Sequence, residues 1–493
     1  WPSTAGSAGS ADALSDMADP RSLPDATEYL RRMRAGEQSA ESVLEEHLSR
    51  LARFQPDLNG ATHVLAEQAR AEARSPRPGP LSGLPVSIKE TFGIAGASIT
   101  AGSRVRPPDY CESDAEAVQR LRDAGAIVIA RSNVPEFVMA GETDNPVYGR
   151  SSNPLNPDHT CGGSSGGEGV LVATGSSALG LGSDILGSIR IPAAFCGVVG
   201  FKPASAAVSK AGSWPSGDDD LFVDSWLAAG PLARSVRDVR LAYGVLAGRD
   251  PDPGAAPVRA LTGSGFAWRA EHPSIAAAVA GARAALAAGG VEGDLRELPD
   301  VRVLFKAMTR ILAHELVPHL KAQLTDAEGR RFSVAAELAR RMTGRGRIYP
   351  GLLQLLALGP VLRTLFPGGV NRARETILGA RTRIRAALGS DAVLVAPTVG
   401  MLAPRHGAMN RQTLKPGVNY RMTALTFCNI MDLPAISVPA WRFRDSGTGL
   451  VPGVMLAAAP GAEDTLFRAA EIVEASIGPA PAHPGAGIAE PAP

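Results

Sequence analysis

The sequence predicts an α/β protein, and three observations lead there. Helically spaced segments alternate with short apolar, strand-like runs over residues 26–130. Two serine-bearing glycine turns, Gly162-Gly163-Ser164-Ser165-Gly166-Gly167 and Gly187-Ser188, bracket an apolar small-residue run at 169–175. That run is too apolar for a solvated linker; it reads as a buried helix whose small residues allow close backbone approach. A chain of 493 residues also suffices for one large α/β domain or two smaller ones.

In chain order, Leu30, Met33, Val43, Leu44, His47, Leu48 and Leu51 give residues 26–54 a helical spacing, interrupted at Gly36-Glu37. Ser39 and Ser42 are both candidate N-caps of the second helix. A short helix over 64–74 ends at Pro76-Arg77-Pro78-Gly79-Pro80, which cannot continue it. Leu84-Pro85-Val86-Ser87-Ile88 alternates as a strand and delivers Lys89 at its end. Ser113 or Asp114 is expected to cap a helix through Leu121, and Ala126-Ile127-Val128-Ile129-Ala130 to form a buried strand. Residues 203–223 read as loop, with Ser216-Gly217-Asp218-Asp219-Asp220 exposed, and helices follow over 236–246 and 276–288. Residues 300–388 are a variable, mostly helical segment, amphipathic over 331–341 and apolar over 351–366. A membrane span is one reading of that last stretch, but it is too short, and Gly359-Pro360 and Arg363 interrupt it. A buried helix pair or a wall of the substrate site is expected instead, with contact to a membrane interface as the lesser reading. Residues 1–24 read as a flexible tail or cloning remnant, and the Pro/Gly/Ala-rich 479–493 as disordered.

A hydrophobic content of 45% and a charged content of 20% are ordinary for a globular enzyme. The net charge of +1 argues against nucleic acid as a partner, because phosphate binding needs a basic surplus. Cys111, Cys161, Cys196 and Cys428 show no CxxC or metal spacing, which fits small buried thiols in a reducing, cytoplasmic setting. The histidines form no HExxH and the glycine turns lack a following Gly-Lys-Ser/Thr, so neither a metal nor a bound phosphate cofactor is expected. The expected partner is a small molecule; no transmembrane span is foreseen, and monomer and homodimer are both open.

Serines between glycines sit on tight turns with room for a ligand. Neighbouring backbone N–H groups point into that space, where they can hold an oxyanion. Amide carbonyls are poor electrophiles, and a serine that attacks them needs a base. No Gly-x-Ser-x-Gly elbow with a Ser-Asp-His order is present. His159, just before the first glycine turn, is the nearest histidine to serve.

These turns, together with Gly182-Ser183-Asp184, Gly187-Ser188-Ile189-Arg190-Ile191-Pro192-Ala193 and Gly197-Val198-Val199-Gly200-Phe201-Lys202-Pro203, resemble the amidase signature family of serine hydrolases. The resemblance extends upstream to Gly83-Leu84-Pro85-Val86-Ser87-Ile88-Lys89-Glu90. Downstream it takes in Asp391-Ala392-Val393-Leu394-Val395-Ala396-Pro397-Thr398 and Leu433-Pro434-Ala435-Ile436-Ser437-Val438-Pro439, so that it covers residues 25–475. It implies a single domain over 25–478 with core motifs in 83–204, built on a central mixed, twisted β-sheet sandwiched between α-helices. It implies no cofactor. Ser188 matches the family's nucleophile, Ser164 the bridging serine beside a cis peptide bond, and Lys89 the general base, a role the family does not give to His159. A lysine accepts a proton only when neutral, so burial has to depress its pKa from about 10.4. The backbone N–H groups of Ile185, Leu186, Gly187 and Ser188 are the implied oxyanion hole, with Ser165, Asp184 and Arg190 in support. A plain structural ion pair is an equal reading of Asp184 and Arg190. Val138-Met139-Ala140-Gly141 matches the acyl pocket of related enzymes, where small residues would admit bulky or aromatic groups. Three positions depart from the family: Leu186 and Glu90 stand where Gly and Asp are usual, and Ala204 where Thr is usual. The whole looks nearest to the fatty-acid-amide-hydrolase-like branch and to bacterial urethane-cleaving amidases. The implied reaction is hydrolysis of a linear, apolar amide, anilide or carbamate through an acyl- or carbamoyl-Ser188 intermediate. Two alternatives stand beside it. A glutamine amidotransferase component is disfavoured by the near-zero charge and the apolar variable segment; an inactive scaffold is disfavoured because both serines and the lysine are present.

Overall fold

The computed structural model describes residues 23–106, 108–215, 221–249, 257, 259–261, 268–294, 298–324, 332–409 and 421–478. The expected tails at 1–22 and 479–493, the exposed loop at 216–220 and the start of the amphipathic stretch at 331 lie outside these residues.

Eleven strands form one mixed sheet: β1 (Ala61–Val64), β2 (Pro85–Lys89), β3 (Ile127–Ser132), β4 (Leu179–Asp184), β5 (Val199–Lys202), β6 (Ala228–Ala233), β7 (Arg259–Leu261), β8 (Glu292–Asp294), β9 (Ala392–Pro397), β10 (Ala435–Pro439) and β11 (Gly453–Ala457). Their spatial order is β1-β3-β2-β4-β6-β5-β10-β11-β9-β7-β8. β2 runs parallel to both β3 and β4, while β6 is antiparallel to β4 and β5. The central strands are buried almost throughout because both faces are covered, and the polar residues they carry gather toward their carboxyl ends. Period-two alternation divides their side chains: Val128 joins the core on one face, and Ile127 and Ile129 the core on the other. In β2, Val86 and Ile88 belong to the first face, so Ser87 and Lys89 point to the second.

The first face carries α1 (Ala26–Arg34), α4 (Glu116–Asp123), α7 (Val236–Ala247), α8 (Pro273–Ala288) and α15 (Glu463–Ile477). The second carries α2 (Ala40–Leu58), α3 (Ala66–Ala73), α5 (Gly166–Ala173) and α6 (Arg190–Cys196). The helical segment 300–388 comprises α9 (Val301–Ile311), a π turn at Leu312–Leu316, α10 (Val317–Ala322), α11 (Val334–Met342), α12 (Pro350–Leu365) and α13 (Val370–Leu388); α14 (Thr423–Ile430) follows.

Ser39, not Ser42, caps α2, its side chain accepting the Ser42 N–H. Neither Ser113 nor Asp114 caps α4, which starts after Ala115 without a side-chain cap. Asp114 instead accepts the Ala95 N–H and pairs with Arg122. Residue 64 ends β1 and does not begin a helix. The apolar stretch at 351–366 is neither interrupted nor a helix pair: α12 continues through Pro360, and Gly359 lets it close on Val317. Leu352, Leu353 and Leu356 share a core with Phe137 and Val138, whereas Leu358, Val361 and Leu365 are exposed. No single described helix is long and apolar enough to cross a membrane.

Candidate active site

The site lies where the parallel strands β2 and β4 end, at their carboxyl edge, which in open α/β sheets is where ligands bind. Lys89 is the last residue of β2 and is wholly buried. Its Nζ hydrogen-bonds to Ser164 Oγ at 2.7 Å and to Ser183 Oγ at 2.9 Å. Burial drives the lysine down from its ordinary value to about 7, against the pull of Asp184 and Glu168. Burial thus favours the neutral amine, the form that can accept a proton.

Ser164 sits on the turn that starts α5, and the Gly163–Ser164 peptide bond is cis, as the resemblance implies. Ser188 sits on the turn from β4 to α6 and is nearly buried, at 8% exposure. Ser165 ties the two turns together: its N–H donates to Ser188 O at 3.0 Å and its hydroxyl to Ser183 O at 3.2 Å. The Ser164 and Ser188 hydroxyls do not hydrogen-bond to each other among the described contacts; substrate-free catalytic contacts are often long.

Asp184 organises the second turn. Its carboxylate accepts the Gly187 N–H at 2.7 Å, the Ile189 N–H at 3.1 Å and Arg190 Nε at 3.0 Å. Asn429, from α14, adds its side-chain amide at 2.9 Å. Burial works to raise the Asp184 pKa, but Arg190 by charge and hydrogen bonding, with Lys202 behind it, holds the carboxyl well below its ordinary range. Asp184 and Arg190 thus form a buried ion pair that also shapes the turn. One expected oxyanion donor changes status: the Gly187 N–H is already used by Asp184. The N–H groups of Ile185, Leu186 and Ser188 have no protein partner among the described contacts. The left-handed residue of the turn is Gly187, at φ 111°, so Leu186 stands at an ordinary φ and needs no glycine.

The stretch Val138–Gly141 lies against the Gly163–Ser164 turn: a Cβ on Gly163 would fall 2.6 Å from Ala140 O. Phe137 and Val138 both have positive φ, 53° and 49°, a strained backbone for residues with side chains. Two buried carboxylates hold it. Glu136 accepts the Ser103 hydroxyl and the Tyr349 N–H at the start of α12, and burial pushes its carboxyl up to about 7. Glu142 accepts the Gly407 and Met409 N–H groups at 2.7 Å each. The space beside Gly141 is filled, since a Cβ there would lie 2.7 Å from the Met409 methyl. The small residue serves packing against Met409 and does not leave open room at that point.

His159 stands apart. It bridges to Arg405 and makes no hydrogen bond to either serine. Glu90 is buried and accepts the Thr100 and Ala101 N–H groups, and the longer side chain reaches that loop. Ala204 offers only its carbonyl, to the Ala207 N–H. Cys161, Cys196 and Cys428 are buried and Cys111 half-buried, all as free thiols. No group of three or more His, Cys, Asp or Glu among the described residues could hold a metal ion. Sequence reasoning did not single out Ser183, Glu168 or Asn429. Ser183 lay inside a quoted motif; Asn429 lies far along the chain and nothing local marks it.

Two curated relatives match nearly end to end. The chain is 30% identical over 467 residues to AtzE, a 1-carboxybiuret hydrolase component of Pseudomonas sp. (strain ADP), covering 91% of this chain and 97% of that protein. It is 32% identical over 489 residues to a component of the glutamyl-tRNA(Gln) amidotransferase of Anaeromyxobacter dehalogenans (strain 2CP-C), covering 90% and 94%. Among solved structures, 6-aminohexanoate cyclic dimer hydrolase superposes with a TM-score of 0.75 at 27% identity, covering 92% of this chain and 97% of that one. The family profile described as Amidase matches residues 42–467, and with that span the chain belongs to the amidase signature family of hydrolases.

Proposed function

We propose that this amidase cleaves linear, apolar amides, anilides and carbamates at the C–N bond, with Ser188 as nucleophile and Ser164 and Lys89 as its base relay. The observation that carries the reading is the buried Lys89–Ser164 hydrogen bond beside the Ser188 turn. Neutral Lys89 takes the Ser164 proton as Ser164 takes that of Ser188, whose oxygen attacks the carbonyl. The oxyanion sits on the unpartnered N–H groups of Ile185, Leu186 and Ser188, each such donor contributing about 3 kcal/mol to the transition state. Run backwards, the relay protonates the leaving amine, and water repeats the sequence on the acyl- or carbamoyl-serine. Val138, Met139, Ala140 and Gly141 would flank the acyl group, and Asp184, Arg190 and Ser165 keep the turn in place.

The test is a substrate panel of acetanilides, aryl carbamates, fatty amides and glutamine. Apolar aryl substrates should lead in kcat/KM, because each buried CH₂ contributes about 0.8 kcal/mol; a preference for glutamine or short aliphatic amides would overturn the substrate class. A second reading, release of ammonia from glutamine as part of an amidotransferase, is favoured by the amidotransferase relative and opposed by a net charge of +1 on a partner that would meet tRNA. We further propose a cytoplasmic setting, in keeping with four thiols left free.

A further inference from the structure

One buried ionisable group beside the catalytic lysine has no part in the relay. Glu168 lies on the first turn of α5, on the sheet face toward which Ser87 and Lys89 point, and is 0% exposed. The Ser87 hydroxyl donates a short hydrogen bond to its Oε2. β4 makes room for it with Gly180, where a Cβ would fall 2.2 Å from that oxygen. Its other oxygen, Oε1, makes no well-formed hydrogen bond among the described residues, although the buried Ser132 hydroxyl is close enough to draw on the carboxylate. A wholly buried carboxyl with an acceptor left so weakly satisfied is costly, and its place beside the lysine calls for a physical reason. The other carboxylate facing Lys89 is Asp184, and that one is committed to Arg190, Asn429 and the turn. Lys202 and Arg190 act on Asp184 from the far side, and Arg131 of β3 turns its guanidinium to the Ser98 and Glu90 carbonyls. Among the described residues, Lys89 is the cation that acts on Glu168.

We propose that Glu168 is the buried counter-charge of the Lys89 base, its carboxylate steadying the ammonium that forms on Lys89 when the serines give up their proton. The inference rests on the reading of Lys89 as the general base. It makes Glu168 a positioning residue, acting through Lys89 and not on substrate. The electrostatics agree. Burial pushes Glu168 up to about 7, with Ser87 and Ser132 by hydrogen bonding and Lys89 by charge pulling the other way. Burial likewise pushes Lys89 down to about 7, with Asp184 and Glu168 pulling it back. Each group thus favours the charged form of the other. The direction of the effect follows. Removing the anion removes a pull that raises the Lys89 pKa, so the acid limb of the rate must move to lower pH.

The experiment measures the pH dependence of fluorophosphonate labelling of Ser188, and of kcat/KM on an aryl amide, in wild type, Glu168→Gln, Ser87→Ala and Lys89→Met. In Glu168→Gln the acid limb should fall by about one pH unit while the plateau rate drops. A loss of rate with the limb in place would make Glu168 a packing residue and overturn the proposal. Should Glu168→Gln not fold, as judged by circular dichroism, Ser87→Ala carries the test. Without its hydrogen bond the carboxylate is less readily ionised, so the limb should move the same way, and an unmoved limb overturns the proposal. Lys89→Met separates the two claims. If it keeps the wild-type limb, the base assignment itself has failed; if it abolishes the limb while Glu168→Gln and Ser87→Ala leave it unmoved, only the role of Glu168 has.

Discussion

Replacing Lys89 with methionine removes one amine and keeps the apolar stem, and it should trade activity for stability. In the folded chain burial lowers this lysine from 10.5 to about 7. The unfolded chain therefore takes up a proton below its ordinary range that the folded chain does not accept until about pH 7. The cost to folding accumulates as pH falls from the unfolded value to the folded one and is constant below that. At about 1.4 kcal/mol per unit it reaches about 4 kcal/mol at pH 7. Methionine escapes this cost but leaves Ser164 and Ser183 each short of a hydrogen bond, about 1 kcal/mol apiece. The variant should thus be about 2 kcal/mol more stable at pH 7, and the gain should vanish at about pH 9 and turn into a loss of about 1 kcal/mol at pH 10. Its amide hydrolysis should fall by about a hundred- to ten-thousand-fold, and ester hydrolysis by less, because an alkoxide leaves without needing a proton as badly as an amine. Wild-type turnover should climb with pH through about 7. Denaturant unfolding at pH 7 and 10, with pH–rate profiles on a matched amide and ester, reads all of this. A variant that kept the wild-type amide rate and profile would refute the relay, and one whose stability relative to wild type is no greater at pH 7 than at pH 10 would refute the linkage argument.

Two further substitutions probe the turn. Gly187→Ala places a Cβ 1.6 Å from Leu425 Cδ2 at a φ of 111°, so folding stability should fall by about 2 kcal/mol and turnover with it. Adding Leu425→Ala should restore part of the stability in an unfolding titration, and no recovery would place the strain elsewhere. Asp184→Asn strands the fully buried Arg190 without its counter-charge and should cost about 3–5 kcal/mol by the same measurement. A change under about 1 kcal/mol would show the pair to be dispensable.

What was legible in the sequence was local. Lys89 at the end of an apolar strand, the two serine turns and the helix between them are each contained in a few consecutive residues whose chemistry admits few alternatives. What was hidden depends on distant partners. β6 contains Gly230-Pro231, which depresses strand propensity, yet it pairs with β4 on one side and β5 on the other. α6 carries Pro192 near its start and reads as the tail of a turn until the Asp184 network fixes it. Glu168 looks like any acidic residue in a helix first turn, the usual place for a solvated charge. Only the folding of β2 and β4 over it reveals the burial. The apolar 351–366 stretch carried no sign of which half would be covered, because the cover is Val317 and the Phe137–Val138 core.

The claim on which the account turns is that Ser188 carries the covalent intermediate. The direct measurement is intact-mass and peptide-level mapping of the adduct formed with a fluorophosphonate, and of the carbamoyl adduct from a slowly hydrolysed aryl carbamate, in wild type and Ser188→Ala. The account predicts one adduct per chain, located on Ser188, with none formed and no turnover in a folded Ser188→Ala. An adduct on any other residue, or full turnover by Ser188→Ala, would contradict it.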